Sequence, residues 1–187
     1  MIYLASSSPR RRALLKDAGI AFKIFRPSYE EKTVRGLSVI ALTRRHALGK
    51  ALSAARGIKN GIVLGADTVV FFEGRVFGKP RSMNAARAML GSLQGRRHSV
   101  LTAVSLLRVQ NGRVRAKKTF IEKTSVWLKK MNKAEICRYQ DRIGPLDKAG
   151  AYAAQAKGGI VLRVRGSFTN VVSLPMEKLK KTIRMLR

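Results

Sequence analysis

The sequence of 187 residues contains a single cysteine, Cys137. One thiol excludes an internal disulfide framework and a zinc site built from cysteines, and its position in a helical pattern favours a packing role. No apolar run approaches the roughly 18 residues that a transmembrane helix needs. The N-terminus also lacks the apolar segment and cleavage site of a secretory signal peptide. We therefore expect a cytoplasmic protein that does not enter a membrane.

Acidic side chains are scarce, with 10 Asp and Glu against 39 Lys and Arg and a net charge of +29. This charge is typical either of a nucleic-acid-binding protein or of a general bias towards basic residues on solvated faces. Aromatic residues make up only 6% of the chain, and no stretch interleaves them with basic residues as a stacking platform would. The bias is the preferred interpretation, so nucleic acid is the less expected partner, although the net charge leaves it open.

The same scarcity narrows the chemistry, because any metal site or general base must use one of ten carboxylates. Surface turns and helix ends explain most of them. Those in unusual settings are Glu30, Glu31, Asp67 and Asp147. Asp67 interrupts a near-continuous apolar run, residues 62–72, that is typical of a strand buried on both faces. A buried carboxylate is costly unless it is paired, hydrogen-bonded or bound to a metal, which favours a functional site over a simple strand bend.

At the N-terminus, a short apolar strand, a hydroxyl-rich turn and a helix start follow one another within residues 2–12. Ser8 is a suitable N-cap and Pro9 a suitable first helical residue. The helix dipole, the first backbone amides and the arginines at 10–12 would then face one place, which suits a polyphosphate or another compact anion. The alternative is an ordinary capped helix with a solvated basic first turn.

Hydrophobic periodicity predicts one α/β domain spanning residues 1–187, with a mixed sheet and no repeat or linker. We expect the strands near residues 2–5, 21–25, 62–72, 76–77, 100–107, 119–128 and 160–164. We expect the helices from Pro9, Ser38, Ser82 and Asn132 and at the C-terminus. Between two of these elements, the turn Gly78-Lys79-Pro80 would present Lys79.

A set of short motifs runs through nearly the whole chain in a fixed order. They are Ser6-Ser7-Ser8-Pro9-Arg10-Arg11, Glu31, Lys50, Gly65-Ala66-Asp67-Thr68, Gly78-Lys79-Pro80, Gly95-Arg96-Arg97-His98, Pro145 to Tyr152, Gln155 and Asn170-Val171-Val172. No single motif is decisive, but the ordered set resembles the Maf family of nucleoside triphosphate pyrophosphatases.

The resemblance implies an elongated mixed sheet flanked by helices, with two lobes around a central cleft, similar to the inosine triphosphate pyrophosphatase-like fold. It implies hydrolysis of a nucleoside triphosphate to the monophosphate and pyrophosphate with a divalent cation, Mg²⁺ or Mn²⁺. The branch it resembles acts on dTTP and UTP and on modified pyrimidine triphosphates. A homodimer is an expectation at the level of the family.

The resemblance also assigns roles to residues. Asp67 matches the proton acceptor, and Arg11, Lys50 and Lys79 match the other catalytic positions. Glu31 and Asp67 suit a metal, because Mg²⁺ prefers carboxylate and phosphate oxygens. Phosphate binding falls to Ser6, Ser8 and Arg11, and substrate choice to Arg10, Thr68 and Gln155.

The chain departs from the family's pattern at some positions, Ser173, Gln94, Arg97 and Tyr29 among them. These departures leave the expected catalytic set intact. The alternative function is that of a basic nucleic-acid-binding or cell-division regulatory protein with a vestigial nucleotide cleft.

Overall fold

A computed structural model describes residues 1–32 and 34–186. The strands are β1 Ile2–Ala5, β2 Phe22–Ile24, β3 Gly61–Phe72, β4 Arg75–Phe77, β5 Arg97–Gln110, β6 Arg113–Leu128 and β7 Val161–Arg165. The helices are α1 Pro9–Asp17, α2 Val39–Ala55, α3 Met83–Leu93, α4 Lys133–Ile143, α5 Phe168–Val172 and α6 Met176–Leu186. Two short 3-10 turns, Pro145–Asp147 and Ala149–Ala151, follow α4.

The strands form one mixed sheet in the order β2-β1-β3-β5-β6-β7, with β4 paired to β3. Strand β1 runs parallel to both β2 and β3, whereas β4 is antiparallel to β3 and β7 is antiparallel to β6. The α/β class and the mixed sheet are therefore confirmed. Strands β5 and β6 are longer than the sequence predicts, and α5 is a helix that the sequence analysis did not predict.

The described residues group into two compact units. Of the described residues, unit 1 comprises 1–32, 34–67, 102–122 and 173–186, and unit 2 comprises 68–101 and 123–172. Unit 1 has an apolar core to which α1 contributes Leu15 and α6 contributes Leu179. The core of unit 2 includes Leu90 of α3 and Tyr139 of α4. The expectation of one domain over residues 1–187 stays a prediction.

The predicted helix starts are confirmed for three helices by their capping bonds. The Ser38 side chain accepts a hydrogen bond from the Ala41 amide, and the Ser82 side chain accepts one from the Ala85 amide. Asn132 forms a complete capping box with Glu135 at the start of α4. Ser8 occupies the N-cap position of α1, but its side chain makes no capping hydrogen bond. At that helix, the expected position is right and the expected side-chain bond is wrong.

No helix within residues 1–32 and 34–186 is both long enough and apolar enough to cross a membrane.

Candidate active site

The candidate site of unit 1 lies where β1 ends and the parallel strand β3 continues beside it. Ala5 of β1 pairs with Gly65 of β3, so the next residues along each strand are Ser6 and Ala66. In open α/β sheets, ligands bind outside the carboxyl ends of parallel strands. The chain also places the N-terminal end of α1 directly after Ser6, which adds the positive end of a helix dipole.

Asp67 and Lys50 form the central ion pair of this site. Asp67 is only 5% exposed, and its Oδ1 atom lies 2.8 Å from Lys50 Nζ. The same ammonium lies 2.7 Å from Glu31 Oε1 and donates to the Ala66 carbonyl at 3.4 Å. Lys50 thus joins both carboxylates that the sequence analysis assigned to a metal. The other Asp67 oxygen, Oδ2, is buried and has no hydrogen-bond partner among the described residues.

Arg11, from α1, is the second cationic side chain that hydrogen-bonds to strand β3. Its guanidinium donates to the Ala66 carbonyl at 2.9 Å and to Ser6 Oγ at 3.1 Å. It also donates to the Ser173 carbonyl at 3.2 Å. The Ala66 carbonyl therefore accepts from both cations of the site. These bonds tie the start of α1, strand β3 and the segment before α6 together next to Asp67.

Burial changes the acidity of Arg11. Because the side chain is removed from water, its pKa falls to about 10, a shift that the nearby Asp67 carboxylate opposes. Arg10 lowers the pKa further by charge repulsion, and Glu31 raises it by attraction. The guanidinium stays charged at neutral pH and attracts the nearby Asp67 carboxylate.

Close contact between α2 and β3 places Lys50 beside Asp67. A Cβ atom on Gly65 would lie 2.3 Å from the Ala47 carbonyl oxygen and 2.7 Å from the Ala51 amide nitrogen. Both distances are too short for any side chain, so the helix backbone packs directly on the strand at a glycine. Ala47 and Ala51 are fully buried there. Lys50 lies between Ala47 and Ala51 in the sequence, and Asp67 follows Gly65 by two residues. The contact at Gly65 therefore brings Lys50 close to Asp67.

The loop that carries Glu31 is held on α2 by Tyr29. The tyrosine ring lies over Gly49, where a Cβ atom would come within 2.1 Å of it. Its hydroxyl lies 3.1 Å from Nδ1 of His46, a buried residue of the same helix. Sequence reasoning named Tyr29 only as a departure and missed this anchoring. The sequence signal for this contact was Gly49, directly before Lys50, where the absence of a side chain leaves room for the ring.

The predicted phosphate-binding and specificity residues of the N-terminal turn lie together at the start of α1. Ser6 is buried, and its hydroxyl accepts from the Ser8 amide at 3.2 Å as well as from Arg11. The Ser8 hydroxyl is buried and has no hydrogen-bond partner among the described residues. Arg10 is partly buried in the first helical turn, and Arg12 is exposed. The roles of Ser6, Ser8, Arg10 and Arg11 towards a ligand stay predictions.

The remaining predicted site residues, Thr68, Lys79 and Gln155, belong to unit 2. Lys79 is exposed after β4, in a turn whose preceding carbonyl, that of Gly78, accepts a hydrogen bond from the Gly150 amide at 3.1 Å. Gln155 is exposed in a turn before β7, and Thr68 is partly buried in β3. Their assigned roles in catalysis and substrate choice stay predictions as well.

The carboxylate oxygens of Glu31 and Asp67 are of the type that a divalent cation such as Mg²⁺ prefers. No cluster of three or more His, Cys, Asp or Glu side chains forms a metal cage within residues 1–32 and 34–186. Glu31 and Asp67 supply carboxylate oxygens on either side of one ammonium, and Asp67 Oδ2 is an unused buried acceptor. Mg²⁺ is usually held by one or two carboxylates together with substrate phosphates and water. The residues present fit a cation of this kind.

Comparisons with known proteins agree on one family. A family model described as Maf-like protein matches residues 1–186. A dTTP/UTP pyrophosphatase of Carboxydothermus hydrogenoformans is 42% identical over 184 residues, which cover 98% of this chain and 97% of that protein. A protein of the same description from Methanosarcina barkeri is 40% identical over 185 residues, which cover 98% of this chain and 92% of its own.

Among solved structures, the chain is similar to a dITP/XTP pyrophosphatase of Mycobacterium abscessus. The two are 14% identical with a TM-score of 0.42, over 98% of this chain and 93% of that one.

Proposed function

Because the chain belongs to the Maf-like protein family, we propose that it hydrolyses nucleoside triphosphates, dTTP and UTP above all, to the monophosphate and pyrophosphate. Modified pyrimidine triphosphates are further substrates in this proposal. The relatives at about 40% identity that support it are dTTP/UTP pyrophosphatases matched along nearly their whole length. The cytoplasmic location and the homodimer remain predictions.

The observation that carries the proposal is the buried Asp67 with Lys50 and Glu31 around it. A lone carboxylate at 5% exposure is costly for stability. Its Oδ1 atom is paired with Lys50 while Oδ2 is left without a protein partner. The hydrogen-bonding capacity of that second oxygen is therefore unused by the described part of the protein. Asp67 lies close to the cationic side chains of Lys50 and Arg11, which suits a reaction on a polyanion.

In this proposal, Asp67 orients the attacking water and accepts its proton at Oδ2. A positioned general base contributes about 10²- to 10⁴-fold to a rate. Lys50 pairs with Oδ1 of Asp67 and offers its ammonium to the charge that builds up on the leaving pyrophosphate. Stabilising that charge is the main catalytic requirement in phosphoryl transfer.

Phosphate oxygens are bound, in the same proposal, by the turn before α1 and by the hydroxyls of Ser6 and Ser8. The amides of a helix N-terminus suit this task. Arg11 supports it in two ways, by its positive charge and by fixing Ser6 Oγ through a bond of 3.1 Å. Because its other bonds go to the Ala66 and Ser173 carbonyls, Arg11 also positions the strand that carries Asp67.

Glu31 and Asp67 would hold a divalent cation, Mg²⁺ or Mn²⁺. When bound, such an ion neutralises triphosphate charge and polarises a phosphoryl oxygen. Lys50 separates the two carboxylates and lies within hydrogen-bond distance of both, so it limits their mutual repulsion before substrate binds. Arg10, Thr68 and Gln155 are proposed to select the base, and Lys79 to neutralise triphosphate charge.

The test is a panel of canonical and modified nucleoside triphosphates, assayed for pyrophosphate release with Mg²⁺, with Mn²⁺ and with a chelator. We expect release of pyrophosphate, not of orthophosphate, with dTTP and UTP turned over fastest and the chelator abolishing turnover. Preference for purine triphosphates would contradict the proposed substrates. The absence of pyrophosphate from every nucleotide and metal would overturn the proposed activity.

A further inference from the structure

The outer face of unit 2 carries the chain's only tryptophan between two arginines. Trp127 lies on β6, with neighbours β5 on one side and β7 on the other. Its register partner on β7 is Arg163. The guanidinium carbon of Arg163 lies 5.2 Å from the centroid of the indole ring, and that of Arg97, on β5, lies 6.0 Å from it. Three adjacent strands thus assemble an arginine–tryptophan–arginine row that no continuous stretch of sequence contains.

Alternation along the strands directs this row away from the core. Val126 and Leu128, on either side of Trp127, are 0% and 1% exposed, and Val126 pairs with Val164. Trp127 is only partly buried, and Arg163 is exposed. The same pairing continues two residues away, where Ser125 faces the exposed Arg165. A register irregularity after Trp127 accompanies Leu162, which is 63% exposed.

This face is strongly cationic. Residues 95–101, 123–130 and 160–167, which contribute it, include no Asp or Glu and seven Lys or Arg. Among residues 1–32 and 34–186, Arg97, Arg163 and Arg165 form no salt bridge. Arg96, by contrast, pairs with Glu73. Two unpaired guanidiniums at one indole repel each other, so stability alone does not explain the row.

We propose that this face, called here the Trp127 platform and made of Arg97, Lys123, Trp127, Arg163 and Arg165, binds single-stranded nucleic acid. Aromatic and guanidinium planes stack on unpaired bases whatever the sequence, and surrounding Lys and Arg side chains neutralise the phosphates. An acidic peptide would satisfy the charges but not the indole. A duplex keeps its bases stacked inside. The proposal goes beyond the proposed pyrophosphatase activity and uses none of its residues.

Trp127 itself reports on the proposal, because no other tryptophan contributes to the fluorescence. The probes are a fluorescein-labelled oligo-dT of about 12 nucleotides, the matching duplex and a poly-glutamate peptide of equal charge. We expect the unlabelled single strand to quench Trp127 in a saturable way, with duplex and peptide binding more weakly and quenching little. Saturating dTTP is expected to leave strand binding unchanged, since the strand does not occupy the nucleotide site.

Matched double variants separate the platform from general charge. R163Q/R165Q removes two cations from the platform, and K180Q/R184Q removes two exposed cations from α6 in unit 1. Fluorescence anisotropy of the labelled strand should show about fivefold or more weaker binding for the first variant, because two guanidiniums that contact bases and phosphates are lost. The second variant should bind almost as the native chain does. The salt slope should fall by about 0.7 for each phosphate that a variant no longer neutralises.

Four outcomes would overturn the proposal. They are an unquenched tryptophan, equal weakening in both double variants, equal quenching by the peptide or duplex, and displacement of the strand by dTTP. Thermal unfolding of each variant shows whether weaker binding comes from loss of fold. Because W127F keeps an aromatic ring in the same place, it should retain most of the binding seen by anisotropy.

Discussion

In unit 1, the buried polar side chains include charged ones, and in unit 2 they are neutral. Arg11 and Asp67 of unit 1 are 7% and 5% exposed. In unit 2, the described side chains of this kind are His98, Thr124, Gln140 and Asn170, with the ring of Tyr152 beside His98. Burial lowers the pKa of His98 to about 4, so the imidazole is neutral at physiological pH.

The two regions also satisfy their polar groups differently. In unit 2, the partners are neutral groups: His98 Nε2 lies 2.8 Å from the Tyr152 hydroxyl, and Gln140 donates to the Ala86 carbonyl at 2.8 Å. His98 Nδ1 and Gln140 Oε1 are buried without a hydrogen-bond partner among the described residues, but neither atom carries a full charge at neutral pH. In unit 1, the carboxylate of Asp67 relies on an ammonium for one oxygen and has no protein partner for the other. Neutral hydrogen bonds stabilise a scaffold at little electrostatic cost. Buried charge is costly unless it is compensated, and its location identifies where the chemistry lies.

The largest effect that would sharpen this contrast is expected from Asp67→Asn. The amide can still accept from Lys50 at Oδ1, but the group at Oδ2 can no longer take a proton. We expect pyrophosphate release to fall by about 10²- to 10⁴-fold, the contribution of a general base, while cooperative thermal unfolding is retained. Steady-state kinetics with dTTP and calorimetry measure the two quantities.

Glu73→Gln is the control for that variant, because it makes the same change at an exposed ion pair of unit 2, with Arg96 at 3.1 Å. Exposed pairs contribute about 0–1 kcal/mol, so activity and unfolding should both stay close to those of the native chain. If Asp67→Asn were as active as Glu73→Gln, the buried charge of unit 1 would not be catalytic.

Much of the fold and part of the site could be predicted from local signals. The apolar run with one carboxylate in its middle predicted both β3 and a buried Asp67, because only a few residue types are tolerated inside a strand buried on both faces. Asn132 and Glu135 predicted the start of α4 through their capping box. The helix α5 was missed because it has only five residues, too few to show a helical period.

Long-range contacts account for the rest. The bond from Arg11 to the Ser173 carbonyl joins residues 162 positions apart, and no periodicity reports such a contact. Sequence reasoning assigned Arg11 to phosphate, and the structure adds three protein acceptors for its guanidinium. The Trp127 platform escaped notice for the same reason, since its arginines come from strands on either side of β6.

The pH dependence of the free energy of unfolding tests whether His98 of unit 2 is buried in its neutral form. The imidazole of His98 has a pKa of 6.5 when unfolded and about 4 when buried. Between these values the unfolded chain binds a proton that the folded chain does not. The free energy of unfolding should therefore fall as the pH drops from 6.5 to 4, by about 3 kcal/mol from this group. Urea unfolding at half-unit pH steps measures it.

His98→Gln is the comparison for that titration. Glutamine can bond the Tyr152 hydroxyl but does not titrate, so the variant should be less stable at pH 7 yet lose less stability on acidification. Parallel pH profiles for the two proteins would mean that His98 is not the neutral buried group of unit 2, and the contrast between the units would weaken.

The smallest expected effect concerns how unit 1 brings its charges together. In Gly65→Ala, the new methyl group would meet the α2 backbone at 2.3 Å, so the helix must shift away from β3. Overpacking of this kind costs about 1–3 kcal/mol, and moving α2 also moves Lys50 away from Asp67.

Gly91→Ala is the matched change in α3 of unit 2, where a Cβ atom has nothing within 4 Å. It should stabilise the chain by about 0.5–1 kcal/mol. If urea unfolding and dTTP turnover respond alike to both changes, the glycine contact does not set the Lys50–Asp67 pair. If Gly65→Ala lowers the free energy of unfolding, Gly91→Ala raises it, and only Gly65→Ala reduces turnover, then the backbone contact between α2 and β3 keeps Lys50 within bonding distance of Asp67.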